Sequence, residues 1–171
     1  MSVRVALVVT LLSVAPSAIV PRVAAQATTT ARPSAAEFIT RLYADYQWET
    51  KDDDLAKRAP LFSAPTPLLR RYLDTDLVRA VLRDRACQKR VEGECNLEFE
   101  PMWASQDPGG ATVRVVATRD PGVVQALVRY AGDRTVTITY RLRWTTAGWR
   151  IADIGNPDVP SLLARLRRPV Q

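Results

Sequence analysis

The chain has 171 residues, two Cys, no His and a formal net charge of +6. Without His it has no Ser-His-Asp or Cys-His catalytic set and no His-based zinc site, and two Cys are too few for a four-thiolate site. The length suits one domain, and 47% hydrophobic with 25% charged residues is typical of a globular protein. We expect neither a metal nor a cofactor.

The amino-terminal residues 1–25 have the pattern of a secretory signal peptide. Arg4 supplies the positive first region, and residues 5–20 are apolar and uncharged. Small residues then lead to expected cleavage after Ala25 or Ala27. This pattern predicts a periplasmic or secreted protein.

An uncleaved membrane anchor is the alternative interpretation of this segment. The apolar run contains Pro16 and is shorter than the roughly 20 residues that span a bilayer, so we expect no stable membrane anchor. The removed peptide carries Arg4 and Arg22 and no acid, which lowers the net charge of the mature chain from +6 to +4.

A helix is predicted at the start of the mature domain. Residues 28–33 are polar and are expected to be flexible, and residues 34–157 are expected to form the domain. Ser34 and Glu37 have the spacing of a capping box, which predicts a helix that begins there and ends near Trp48.

A second helix is predicted after a charged segment. Residues 49–57 include three consecutive Asp, which lack the alternate spacing and the turn Gly of a calcium loop, so we interpret the segment as a solvated loop or helix end. Thr66 as N-cap and Pro67 at the first helical position predict a helix that runs without a break to about residue 84.

The two Cys follow this helix and are separated by seven residues. In an exported protein, Cys87 and Cys95 at this spacing are expected to form a disulfide. The alternative is a redox-active pair, but the spacing is not Cys-x-x-Cys. The bridge would fix a polar loop between the second helix and the strand-like residues 96–99.

From residue 111 onward the apolar residues recur at every second position. This period predicts strands, joined by short turns, at residues 112–118, 123–130, 135–144 and 149–154. The strands are expected to form an antiparallel meander with one apolar face for the helices, so the predicted fold class is α+β. Within residues 158–171, Asp158 is expected to cap a short helix that precedes the tail.

Six strings occur in an informative order: FITRLYADY (38–46), LFS (61–63), LEFEPM (97–102), QD (106–107), YRL (140–142) and GWRIADI (148–154). Together they resemble a bacterial exported family catalogued as domain of unknown function 3828, in the NTF2-like (cystatin-like) superfamily. The resemblance covers about residues 35–155 and implies helices packed on a curved antiparallel meander. Family members have no agreed catalytic residues, and the chain lacks the lipid-anchor Cys of the lipoprotein members, which implies a soluble periplasmic form.

Folds of the NTF2-like class often hold a pocket between the sheet and the helices. The side chains that we expect to line such a pocket are Tyr43, Trp103, Gln106 and Trp149. Asp153 and Asp107 are weak candidates for a catalytic base of the kind that some superfamily enzymes use. The favoured alternative is that both Asp residues cap turns and accept hydrogen bonds from backbone amides.

Arg side chains on the predicted strands are a second candidate feature. If they share one sheet face, they would form a basic stripe that binds an acidic partner. The favoured interpretation is that they belong to an ordinary solvated face. These residues are Arg114, Arg129, Arg141, Arg143 and Arg150. Residues 162–168 are apolar and basic, and they could bind a membrane surface or a partner. We favour the alternative that they pack on the domain.

The predicted function is that of an exported binding or interaction module without catalytic activity. Its partner would be an unknown envelope protein or a small ligand. Nucleic acid is not expected, because the chain is exported and its basic residues are not interleaved with aromatic ones. The alternative is an NTF2-like enzyme that uses an Asp general base on a small substrate.

Overall fold

In the computed structural model of the protein, the described residues form four α-helices that pack on one face of a four-stranded antiparallel sheet. The structure describes residues 32–51 and 58–169, which belong to one compact unit, Arg32–Gln171. The signal peptide with its cleavage sites, most of the segment 28–33 and the three Asp residues at 52–54 lie outside the described residues.

The first helix, α1 (Ala35–Tyr46), begins at the predicted capping box. The Ser34 hydroxyl accepts a hydrogen bond from the Glu37 amide at 3.1 Å, and the Glu37 carboxylate accepts one from the Ser34 amide at 2.7 Å. Two amides at the helix start thereby gain partners. The helix ends two residues before the predicted end, and a short 3-10 helix, Gln47–Thr50, follows.

The prediction of one continuous second helix is wrong, because the chain forms α2 (Thr66–Tyr72) and α3 (Thr75–Val91). Between them Leu73 forms a parallel bridge with Ile151, and the Asp74 amide donates to the Ile151 carbonyl at 2.8 Å. The Asp74 carboxylate then caps α3 by accepting an amide of its first turn at 2.9 Å. Hydrogen bonding to the sheet overrides the continuous helical pattern.

Two predicted helix caps are also wrong. Pro65, and not Thr66, precedes α2, and it makes no side-chain capping bond. The last helix, α4 (Leu162–Leu166), is capped by the Ser161 hydroxyl, which accepts the Ala164 amide at 3.1 Å. Asp158 lies in the preceding turn, too far from the helix start to cap it.

The four predicted strands are confirmed, and they follow the order β1-β2-β3-β4 with antiparallel neighbours. They are β1 (Thr112–Ala117), β2 (Val123–Arg129), β3 (Thr135–Thr145) and β4 (Gly148–Gly155). A β-bulge lies between Arg141 and Leu142 in the pairing of β3 with β4. Residues 96–99 form no strand, and a bridge between Glu100 and Ser105 follows them. The fold class is therefore α+β.

One face of the sheet is covered by the helices, and side chains fill the space between them. Alternate strand residues that are at most 2% exposed form this face: Val124, Ala126, Val128, Ile138, Tyr140, Ile151 and Ile154. Ile39 and Leu42 of α1 pack in the same cluster and are fully buried. The interior that the sequence predicted as a pocket is thus a packed core.

The other face of the sheet carries the five Arg residues of the predicted basic stripe. The strand register and the alternation of side chains place all five on this face. Three of them pair with Asp74, Asp133 or Asp153, and Arg150 donates to backbone carbonyls. Arg114 and Arg150 have no acidic partner among the described residues, so three of the five charges of the stripe are paired.

The Cys87 and Cys95 sulfur atoms are 2.03 Å apart, which confirms the disulfide. The bridge joins the last turn of α3 to the loop that follows. Beside it the buried Asp84 carboxylate accepts the Asn96 amide at 2.8 Å and the Gln88 side-chain amide at 3.1 Å. A covalent bond and hydrogen bonds therefore fix the same loop.

Replacing both cysteines (Cys87→Ala with Cys95→Ala) is expected to lower the free energy of unfolding. The loop-entropy relation gives about 2.5 kcal/mol for a bridge of this sequence separation. Urea unfolding should show this loss, and a reducing agent should destabilise the wild type by a similar amount without affecting the double variant. Equal stability of the wild type with and without reductant would contradict the prediction.

Candidate functional site

A groove of about 540 Å³ lies between α1 and the free edge of the sheet. Thr40, Tyr43 and Ala44 on α1 and Gln47 at the start of the 3-10 helix form one wall, and residues 111–115, just before and within β1, form the other. Trp103 lies between the two walls. Side chains of both sheet faces line it, because Val113 faces the helices and Arg114 faces away. The groove therefore follows the edge of β1.

Tyr43 and Trp103 form the aromatic floor of this groove. Their ring centres are 5.2 Å apart with an interplanar angle of 73°, an edge-to-face contact. They are 6% and 1% exposed, so the rings form a buried base that the groove reaches but barely uncovers. They are the two sequence-predicted pocket residues that the structure brings together.

Buried polar groups hold both rings in place. The Tyr43 hydroxyl donates to the Met102 carbonyl at 2.6 Å, and it accepts from the Tyr140 hydroxyl at 2.7 Å, since its own proton is already used. The Trp103 indole N–H donates to the Glu49 carboxylate at 2.5 Å. The floor is therefore tied to β3, to the loop before β1 and to the 3-10 helix after α1.

Two carboxyl groups lie behind the floor. Glu49 is 3% exposed, and its burial raises its pKa to about 7, against the lowering effect of the bonds from Trp103 and the Leu61 amide. Burial, together with the nearby Glu49 charge, raises the pKa of Glu100 well above its usual value. The Oε1 atom of each has no hydrogen-bond partner among the described residues, which favours protonation.

Arg85 is the cation that acts on Glu100. Its guanidinium donates to the carbonyls of Phe62 and Ala64 at 2.8 Å, and burial lowers its pKa. The Arg85 charge lowers the pKa of Glu100, but less than burial and Glu49 raise it. Arg85 and Glu100 also line a second cleft of about 620 Å³.

The structure places the other two predicted pocket residues away from the groove. Gln106 is exposed, donates to the Glu98 carbonyl at 2.7 Å and lines the second cleft. Trp149 lies near the β3–β4 hairpin, where its indole N–H donates to the Pro33 carbonyl at 2.8 Å and its ring contacts Trp144 at 5.3 Å. Gln106 and Trp149 therefore do not share a pocket with the floor.

The two candidate bases, Asp153 and Asp107, accept hydrogen bonds from backbone amides. Asp153 Oδ1 accepts the amides of Ile154 and Leu163, both at 2.9 Å, and its Oδ2 is 3.8 Å from Arg141. Asp107 Oδ1 accepts the Gly109 amide at 3.0 Å in an exposed turn. Each carboxylate thus stabilises local backbone structure.

Sequence reasoning missed the buried polar residues of the site. Glu49 was assigned to a solvated segment, which is wrong for this residue, because the 3-10 helix turns it inward. Glu100 lies in the string LEFEPM together with Glu98, which is exposed, so no signal in the string distinguished the buried carboxyl. The hydrogen bond between the Tyr43 and Tyr140 hydroxyls was not predicted either.

Comparison of the chain with protein-family models, with curated proteins and with solved structures finds no match. Among the described residues, no group of three or more Cys, Asp and Glu side chains is arranged to hold a metal ion. No helix in the described ranges is long and apolar enough to cross a membrane. The candidate site consists of the groove, its aromatic floor and the two buried carboxyls.

Folding stability is expected to fall as the pH rises from about 4.5 to about 7. In this range the folded protein keeps the Glu49 proton that the unfolded chain releases, and the state that binds more protons loses stability as the pH rises. Glu49→Gln should remove a slope of about 1 kcal/mol per pH unit, so that the variant gains stability over the wild type towards pH 8.

Denaturant unfolding across this pH range measures the difference between wild type and variant. Glu94→Gln, which changes an exposed carboxyl, is the matched control and should follow the wild type. If the difference in unfolding free energy between the wild type and Glu49→Gln does not change with pH, Glu49 is not protonated in the folded protein.

Proposed function

We propose that the protein is an exported binding module that holds a ligand in the groove between α1 and β1 and performs no catalysis. The observation that carries the proposal is the aromatic floor: Tyr43 and Trp103 are fixed by buried hydrogen bonds and face an open groove. A groove with a rigid base loses little conformational entropy when a ligand binds.

Membership of the exported NTF2-like family remains part of this proposal. The order of two helical regions followed by an antiparallel sheet is compatible with it. The Cys87–Cys95 disulfide supports an exported location, because such bonds persist in oxidising compartments.

The absence of catalysis is supported by what surrounds the candidate bases. The carboxylates of Asp153 and Asp107 each accept hydrogen bonds from backbone amides. Side chains fill the space between the sheet and α1. A base needs an accessible lone pair within reach of a substrate proton, and neither Asp lines the groove.

Filling the groove with a large side chain is expected to abolish ligand binding. Ala44 is exposed on the groove wall, so Ala44→Trp should leave the fold intact within about 0.5 kcal/mol while occupying the space over the floor. Ala86→Trp makes the same change at an exposed position of α3 and is the matched control.

Wild type and both variants would be used as bait in an envelope extract, with mass spectrometry of bound proteins and small molecules. We expect a ligand that wild type and Ala86→Trp retain and Ala44→Trp loses. If every bound species is retained equally by all three proteins, the groove is not the binding site and the proposal is wrong.

A second candidate function, acid–base catalysis, is favoured by one observation. The Glu49 carboxyl has a pKa of about 7, near the value that suits proton transfer at neutral pH, and its charge raises the pKa of the nearby Glu100. In this alternative the general base is a Glu and not the Asp that the sequence suggested.

The alternative predicts turnover that depends on the buried carboxyls. A panel of small ester, carbonyl and epoxide substrates would be assayed with wild type and Glu49→Gln. Catalysis by Glu49 requires a loss of about 10²-fold or more in kcat in the variant, with the fold unchanged by circular dichroism. Turnover with that dependence would replace the binding proposal.

A further inference from the structure

We infer that the ligand of the groove is an extended peptide with an acidic residue, which adds as a further antiparallel strand to the free edge of β1. This inference rests on the proposed binding function and names its partner. Strand addition combines main-chain hydrogen bonds with side-chain contacts in an adjacent groove. The edge, the groove and an unpaired Arg occur together at β1.

Hydrogen bonds at both ends of β2 show which of its residues face β3. The Leu142 amide donates to the Gly122 carbonyl at 2.7 Å, and the Tyr130 amide donates to the Arg134 carbonyl at 2.9 Å. Bonded positions alternate along an antiparallel pair. Even-numbered residues of β2 therefore bond to β3, and odd-numbered residues bond to β1.

The same alternation fixes the orientation of the β1 backbone. The odd-numbered β2 residues pair with Thr112, Arg114 and Val116. The amides and carbonyls of the other three residues, Val113, Val115 and Ala117, therefore point to the free edge. No backbone group of the described residues outside the sheet bonds to them. This row of donors and acceptors is what a further strand requires.

The groove sets the side-chain pattern of the peptide. Every second side chain of an added strand would point towards α1, onto the rings of Tyr43 and Trp103. The opposite wall has the small Ala44, which leaves room for these side chains. We therefore expect apolar residues at alternate positions of the peptide.

Arg114 favours an acidic peptide over a second copy of this chain. Its exposed side chain lines the groove and has no acidic partner among the described residues. Two antiparallel copies of β1 that overlap along most of their length would place their Arg114 side chains directly opposite or diagonally adjacent. Like charges in those positions destabilise a sheet, whereas an Asp or Glu there stabilises it.

The probe for this inference is a phage-displayed library of random octapeptides, selected on the folded full chain. We expect enriched peptides that have alternate apolar residues and at least one Asp or Glu. Arg114→Glu should weaken binding of a synthetic enriched peptide by about tenfold or more. Arg83→Glu reverses an exposed charge on α3 and should not change the affinity.

Main-chain pairing has its own test on the same peptide. A strand bonds through every second amide, so N-methylation of one alternate set should abolish binding, while methylation of the other set should leave it nearly unchanged. Val115→Pro, which removes an outward amide of an edge strand, should also abolish binding. Circular dichroism and the melting temperature establish that the variant folds, and the methylated peptides test the pairing without any change to the protein.

The outcomes separate this inference from the proposed function. A small molecule that binds wild type but not Ala44→Trp, with no peptide enriched, would overturn the peptide and leave the binding proposal standing. Equal effects of the two methylation sets would overturn strand addition. Self-association that Val115→Pro abolishes, seen by sedimentation without peptide, would make a second copy the occupant and overturn the inference.

Discussion

The hydroxyl of Tyr43 is the contact on which the arrangement of the site depends. It donates to the Met102 carbonyl and accepts from Tyr140, so one atom joins α1, the loop before β1 and the middle of the sheet. Both bonds are buried, where an unpaired hydroxyl would cost about 1–3 kcal/mol. The helix, the loop and the sheet are therefore held at one spacing, and that spacing defines the width of the groove.

Trp103 extends this constraint to the buried carboxyls. Its ring packs edge-on against Tyr43, its N–H donates to Glu49, and its carbonyl accepts the Tyr130 hydroxyl. Since Glu49 raises the pKa of Glu100, the protonation of both carboxyls is linked to the position of the ring. The groove floor is thus the outer surface of a polar cluster that is stable when its carboxyls are neutral.

Local signals in the sequence predicted the local features of the fold. The Ser34–Glu37 capping box involves residues three apart, and the strands of the sheet appear as a period of two, so both were readable without tertiary information. The break between α2 and α3 was not readable, because it depends on the bond from Asp74 to Ile151, which is distant in the chain.

The same distinction between local and long-range signals explains which residues of the candidate site could be predicted. Tyr43 and Trp103 were predicted from residue type and resemblance, but their neighbours depend on how the loop before β1 folds back on α1. Glu49 follows an amphipathic helix at the start of a charged segment, so composition predicted solvent exposure. Its burial results from the turn that the 3-10 helix imposes, and no pattern of neighbouring residues encodes that direction.

A filled interior changes where function is sought in this fold. The rings of Tyr43 and Tyr140 meet edge-to-face inside the space where an enclosed pocket was expected, with centres 6.1 Å apart. A ligand cannot enter there without breaking a buried hydrogen-bonded pair. The open space beside this aromatic cluster is the groove at β1, where the sheet ends and outward backbone groups are unpaired. The strand addition proposed for this edge would use backbone groups that the fold leaves unpaired, and so would need no opening of the core.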